Sequence, residues 1–221
     1  MNQEKHEQVD GKVFIRTLLY IPIIHTQADM GTFREKIKQA KIKKLGQQQF
    51  KDSASLVDKL WTNIEHAIND LPSPYRKVRV YQDGLPICGR ELEIVTELAQ
   101  AGNRNHILLL EMKKKGAAIM GTESPDLLVE EYQLIKQIFG EKKPQEITRF
   151  QTYQKSLSLS ILKKRDEFIA NQINNTLCSG EMGILFIGML HSLVDKLNED
   201  IRVVYLNDEF LPNGVARDEK K

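Results

Sequence analysis

Four apolar runs along this chain end on residues able to do chemistry. LLYIPIIH closes at His25, VRVYQD at Asp83, AAIMGTE at Glu123 and ILFIGMLH at His191. The runs are short, apolar and bounded by turn residues, which predicts buried strands. Ile201 to Leu206 predicts a final strand. Between the runs the apolar spacing becomes helical. Leu56, Val57, Leu60, Ile64 and Ile68 share one helix face behind a cap at Asp52 or Ser53. Arg90 to Ala101 forms another helix, with Gly102 closing it. Asn105 to Lys115 reads as a short helix capped by Asn105. Ser124-Pro125-Asp126 starts a helix that runs to about Phe139: serine caps, proline takes the first position, and the acid lies in the first turn. Ile147 to Leu177 is a long helix with Ile161, Ile169 and Ile173 on its apolar stripe, and Leu193 to Asn198 a short one. Pro22 implies either a bulge in the Val13 to His25 strand or a strand that effectively starts after it.

Strands alternating with helices predict an α/β fold, with a mainly parallel central sheet flanked by helices and one long helix before the last two strands. Residues 1–11 read as a loose polar tail, 12–206 as a single α/β domain and 207–221 as a polar C-terminal tail. In open sheets of this kind, ligands bind at the carboxyl ends of the strands. His25, Asp83, Glu123 and His191 are therefore expected along one edge.

Composition narrows the function classes. Of 221 residues, 41% are hydrophobic and 28% charged, an ordinary soluble balance. The net charge of +2 and the mixing of Lys and Arg with Asp and Glu give no nucleic-acid footprint. No apolar run reaches membrane-spanning length. The N-terminal residues lack the apolar core of a signal peptide, and the expected location is cytoplasmic. Cys88 and Cys178 lie outside any CxxC motif, which argues against a disulfide scaffold or a zinc ribbon. GxSxG, P-loop, GxGxxG and HExxH motifs are absent. The expected partner is a small-molecule substrate or ligand, and the oligomeric state is open.

Imidazole suits base chemistry near neutral pH or metal ligation, so His25 and His191 lead the candidate catalytic residues. Arg165 lies four residues after Ile161 and four before Ile169, on the apolar stripe, where a guanidinium needs a partner. It is expected to pair with a carboxylate or to polarise an oxyanion. Asp166 lies near the inner edge of the same helix. Asp83 has ordinary turn chemistry as its bland alternative. Glu123 is not needed for capping, because Ser124 does that. No two of the five histidines have close metal-ligand spacing. The cofactor is either none or a divalent metal ion, held by His25, His191 and Glu123 if present.

RDEFIANQI (Arg165 to Ile173) followed by ILFIGMLHSL (Ile184 to Leu193) resembles the C-terminal signature of erythromycin-esterase-like proteins and of the TraB and Tiki group. The GxxH-like motif is Gly188-Met189-Leu190-His191. IIHTQADMGTFR puts His25 and Arg34 where that family has a histidine and an arginine. The resemblance covers these two short ends of the chain. It implies an α/β fold and hydrolysis by histidine-activated water, without a serine nucleophile and sometimes with a metal ion. On that reading His25 activates water, Asp83 or Glu123 orients it, His191 assists, and Arg165, with Arg34, stabilises the oxyanion. Arg34 and Asp166 are the expected substrate contacts. The alternative is a non-catalytic α/β sensor that binds a small anionic ligand at the same edge.

Overall fold

The predicted runs assemble into one five-stranded sheet in which every neighbouring pair is parallel. The structure, a computed structural model, describes residues 7–9, 12–24, 39, 42, 46–71, 74–140 and 147–206. In chain order the elements are β1 (Glu7–Val9), β2 (Lys12–Phe14), β3 (Arg16–Ile23), α1 (Gln47–Asn69), β4 (Val78–Gln82), α2 (Glu91–Gln100), α3 (Arg104–Lys114), β5 (Ala118–Met120), α4 (Pro125–Gly140), α5 (Ile147–Thr176), β6 (Met182–Gly188) and β7 (Ile201–Tyr205). The sheet order is β5-β4-β6-β3-β7, and β1 and β2 form a separate antiparallel hairpin.

The central runs are continuously apolar because both faces of the sheet are covered. Leu19, Ile21, Ile23, Val78, Val80, Ile184 and Phe186 pack against Leu60, Trp61, Ile64 and Ile68 of α1, Val95 of α2, and Leu108, Leu109 and Met112 of α3. On the other face Leu18, Tyr20, Tyr81, Leu185 and Ile187 meet Ile169, Ala170 and Ile173 of α5, with Leu177 beyond it. At the N-terminal edge of the sheet, Arg16 ties the layers together. It holds both carboxylate oxygens of Asp200, at 2.7 and 2.6 Å, and the carbonyls of Asn174 and Leu177 at the end of α5. A cation there also complements the negative end of the helix dipole.

Several expectations need correction. The first strand is split: Lys12–Phe14 pairs with Glu7–Val9, which had read as loose tail, and β3 starts at Arg16. Pro22 causes no bulge, since its register with Ile187 is unbroken. The pairing of β3 with β7 ends at Tyr20, so Pro22 lies where one side of the strand makes no ladder that its missing N–H would interrupt. Asn103, not Asn105, caps α3, accepting from the His106 N–H. β6 stops at Gly188 rather than His191, and the short helix after it is a single 3-10 turn, Val194–Lys196. Among the described residues, no helix is long and apolar enough to cross a membrane.

Gly183 of β6 makes room for its neighbours. A Cβ there would lie 2.6 Å from Leu18 Cδ1, 3.3 Å from Leu177 Cδ2 and 3.4 Å from Tyr81 Cε2. Leu18 is fully buried and cannot swing into solvent. Gly183→Ala is expected to destabilise the fold by about 1–3 kcal/mol through overpacking, read as a lower denaturant midpoint at unchanged slope.

Candidate functional site

Three loops leave the carboxyl ends of β4, β5 and β6, and each delivers one ionisable side chain to the same place. Asp83 directly follows β4, and its N–H donates to the Phe186 carbonyl of β6, carrying the ladder one residue further. The loop after β5 is joined to the loop after β4. Thr122 and Glu123 N–H groups donate to the Leu85 carbonyl, Ile87 N–H donates to the Glu123 carbonyl, and Pro86 bridges Glu123. Gly121 permits this approach, because a Cβ there would stand 2.9 Å from Ile87 Cα and 3.0 Å from the Pro86 carbonyl oxygen. Thr122 Oγ1 accepts from Gln82 N–H at 2.9 Å. The loop after β6 turns through Met189 and Leu190 to His191.

From below, α5 presents Arg165 and Asp166 on consecutive positions. The Arg165 guanidinium is bonded through all three nitrogens. Nε donates to Glu123 Oε2 at 3.2 Å, Nη1 to Glu131 Oε2 at 2.8 Å, and Nη2 to both Asp83 Oδ1 at 2.7 Å and Glu123 Oε1 at 2.6 Å. Arg165 is 6% exposed and Glu123 fully buried. Burial works against the charge on Arg165, but Glu123, then Asp83 and Glu131, offset it and raise its pKa. Burial is also the largest influence on Glu123. It pushes that carboxyl above the usual range although the guanidinium pulls the other way.

Asp166 uses both oxygens on the His191 loop. Oδ1 is 2.6 Å from His191 Nδ1, and Oδ2 accepts the Ser192 N–H at 3.0 Å. This leaves His191 Nε2 facing Asp83 Oδ2 at 3.5 Å, with the imidazole side chain only 4% exposed. Asp83 Oδ2 also accepts the Gly188 N–H at 2.9 Å. A chain of polar contacts thus runs from Asp166 through His191 and Asp83 to Arg165, Glu123 and Glu131.

The structure brings together Asp83, Glu123, Arg165, Asp166 and His191 from the predicted set. His25 and Arg34 lie outside the described residues. Arg165, expected to be paired with a carboxylate or to polarise an oxyanion, is paired with carboxylates and holds the acids in place. Asp166, expected as a substrate contact, is bonded to the His191 imidazole and the Ser192 N–H. Glu131 and Tyr20 were missed. Glu131 sits on the partly exposed face of α4, and only the need of a buried Arg165 for acids could have pointed to it. Tyr20 lies on the α5 face of β3 beside Tyr205, ring centroids 5.3 Å apart. Burial, then Tyr205, Asp166 and Asp83, raise the pKa of its phenol, which stays protonated at neutral pH.

Asp83, Glu123 and His191 each offer one donor atom, all within 4.8 Å of one another. One imidazole nitrogen and two carboxylate oxygens form a donor set suited to a divalent transition ion, and a carboxylate behind the ligand histidine is the usual way such a ring is oriented. Searches of protein-family models, curated proteins and solved structures found no match to this chain.

Removing the guanidinium would leave buried carboxylates facing one another. Arg165→Ala is expected to cost about 3–5 kcal/mol of stability, measured by denaturant unfolding. The Glu131 side chain is 32% exposed. Glu131→Gln should therefore cost no more than about 1 kcal/mol, as for a solvent-screened pair.

Proposed function

We propose that the chain is a hydrolase that uses histidine-activated water, of the erythromycin-esterase-like or TraB-like kind. The observation that carries this reading is the clamp of Asp166 on His191 Nδ1 at 2.6 Å, which turns Nε2 toward Asp83 Oδ2 at 3.5 Å. Accepting the Nδ1 proton in a hydrogen bond, Asp166 selects the tautomer in which Nε2 carries the lone pair. A water seated to one side of Nε2 and Asp83 Oδ2, within reach of both, can donate one hydrogen to each, which leaves its oxygen lone pairs for attack. His191 takes the proton as the oxygen bonds to the scissile carbonyl or phosphoryl centre. It then returns the proton to the leaving oxygen or nitrogen as that bond breaks. Asp166 stabilises the imidazolium between these steps. Arg165 positions Asp83 and Glu123 rather than touching the reacting atoms. If an ion were bound by Asp83, Glu123 and His191, it would take the Nε2 lone pair and would supply Lewis-acid activation of a water in place of the imidazole base. His25, two residues beyond the end of β3, is the second histidine of this reading.

The rival is a non-catalytic sensor for a small anion at the same edge. At this edge Arg165 is already committed to three carboxylates, which weighs against anion capture by that guanidinium.

The test is a panel of ester, amide and phosphoester substrates. Wild type is expected to turn over one class, with kcat reduced about 10²–10⁴-fold in His191→Ala. Asp166→Asn should lower kcat with little change in KM, because the residue acts through His191. The Cys88→Ser, Cys178→Ser double variant should keep full turnover, both thiols being exposed. Dialysis against EDTA separates the two forms of the mechanism. Activity that survives belongs to the imidazole alone, and activity lost then restored by one divalent ion is metal-assisted. A chain that hydrolyses nothing in the panel would favour the sensor.

A further inference from the structure

Two buried polar atoms on the α1–α3 side of the sheet lack a hydrogen-bond partner among the described residues: Asn105 Oδ1 and Trp61 Nε1. The orientation of the Asn105 amide is set by its neighbours. Its Nδ2 donates to Gln82 Oε1 at 2.6 Å, and Gln82 Nε2 donates to the Asp83 carbonyl at 2.9 Å. Reversing Gln82 would turn its oxygen against that carbonyl. Reversing Asn105 alone would set two amide oxygens together. The atom left over at Asn105 is therefore an acceptor. Trp61 leaves a donor, since an indole N–H only donates.

The two atoms share one side of the sheet. Trp61 stacks on Phe186, centroids 6.4 Å apart, and Phe186 is the register partner of Gln82. Asn105 is 4% exposed and Trp61 1%. A buried donor or acceptor left unmade is costly, so an orphan of each kind beside the same strand ends calls for a partner that offers both. A carboxamide does so: its N–H suits Asn105 Oδ1 and its carbonyl suits Trp61 Nε1. The amide chain through Gln82 to the backbone of Asp83 connects this position to the acid–histidine cluster.

We propose that Asn105 Oδ1 and Trp61 Nε1 form a subsite for a carboxamide group of the ligand. On the hydrolase reading above, that ligand is an amide-bearing substrate, but binding itself does not require turnover. Both atoms are closed to solvent, so entry requires the first turn of α3 to part from α1. Arg104 fastens that turn to Glu65 at 2.9 and 2.7 Å.

Trp61 is the only tryptophan of the chain, so its indole N–H gives one resonance that reports directly on the subsite. Acetamide titrated into 15N-labelled protein is expected to move that resonance downfield and to saturate. Acetone offers only the acceptor and acetate lacks the N–H, so both should bind at least tenfold more weakly. The Gln82→Leu, Asn105→Leu double variant removes the orphan acceptor together with its partner. It also withdraws the Gln82 donor from the Asp83 carbonyl, so a modest fall in Tm is expected, while acetamide saturation is lost. His191→Ala should bind acetamide as wild type does. That outcome separates this subsite from the catalytic reading, which fails or stands on turnover alone. Three results would overturn the proposal: an indole resonance unmoved by acetamide, equal responses to acetamide and acetone, or a free-protein indole N–H already bonded to a buried water. The comparison of acetamide with acetone needs only wild type and remains decisive should the double variant not fold.

Discussion

A guanidinium enclosed among carboxylates organises the functional edge of this protein. Arg165 is bonded to Asp83, Glu123 and Glu131, from the ends of two strands and from α4. Two of those acids are buried at the meeting of two loops, where their mutual repulsion would otherwise force the loops apart or protonate one of them. Such a cluster holds only when every charge has a partner of the opposite sign within hydrogen-bonding distance, because desolvation is otherwise larger than the Coulombic gain. The pKa directions carry both sides of this balance. Arg165 is held charged by its acids, while Glu123, wholly enclosed, is still pushed toward its neutral form by burial. The guanidinium thereby ties α5 to the loops after β4 and β5.

The location follows from how the sheet is wound. β3 and β4 are followed by helices that cover one face, whereas the chain after β6 buries Leu193 on the other, beside α5. Strands whose connections depart to opposite faces leave an opening at their carboxyl ends, and β6 lies between β3 and β4 at such a place. Asp83 and His191 stand at the ends of the adjacent strands β4 and β6. Glu123 is one strand further out and is brought back by the bridge to Pro86.

Much of this was legible in the sequence, for physical reasons that differ by residue. The strand runs showed because a sheet covered on both faces needs unbroken apolar stretches. Ser124 showed as a cap because capping is a local hydrogen bond, and its Oγ does accept from Leu127 N–H at 3.4 Å. Arg165 showed because an arginine between Ile161 and Ile169 cannot reach solvent from the middle of an apolar stripe. What stayed hidden depends on distant neighbours. Asn103 and Asn105 are equal as caps by type. The choice falls to Asn103, whose side chain accepts the His106 N–H, while Asn105 lies within the first turn with its Nδ2 donating to Gln82, far off in sequence. Pro22 is tolerated inside β3 because β7 has already ended beside it. The role of Asp166 depends on a histidine that arrives from the far side of a strand and a turn.

Arg165 and Asp166 are adjacent on one helix yet serve different partners, and this links acid and base. A turn of α5 about its own axis would move the guanidinium and the carboxylate together, withdrawing Arg165 from Asp83 and Asp166 from His191 at once. The helix cannot make that turn cheaply. Ile169 and Ile173, one and two turns further on, are fully buried against the sheet, and Arg16 holds the carbonyls at its far end. The 3.5 Å approach of His191 Nε2 to Asp83 Oδ2 is therefore set by the seating of a helix on a sheet. A site positioned in this way has little freedom to relax, which is the condition under which an imidazole and a carboxylate can share one water in a fixed geometry.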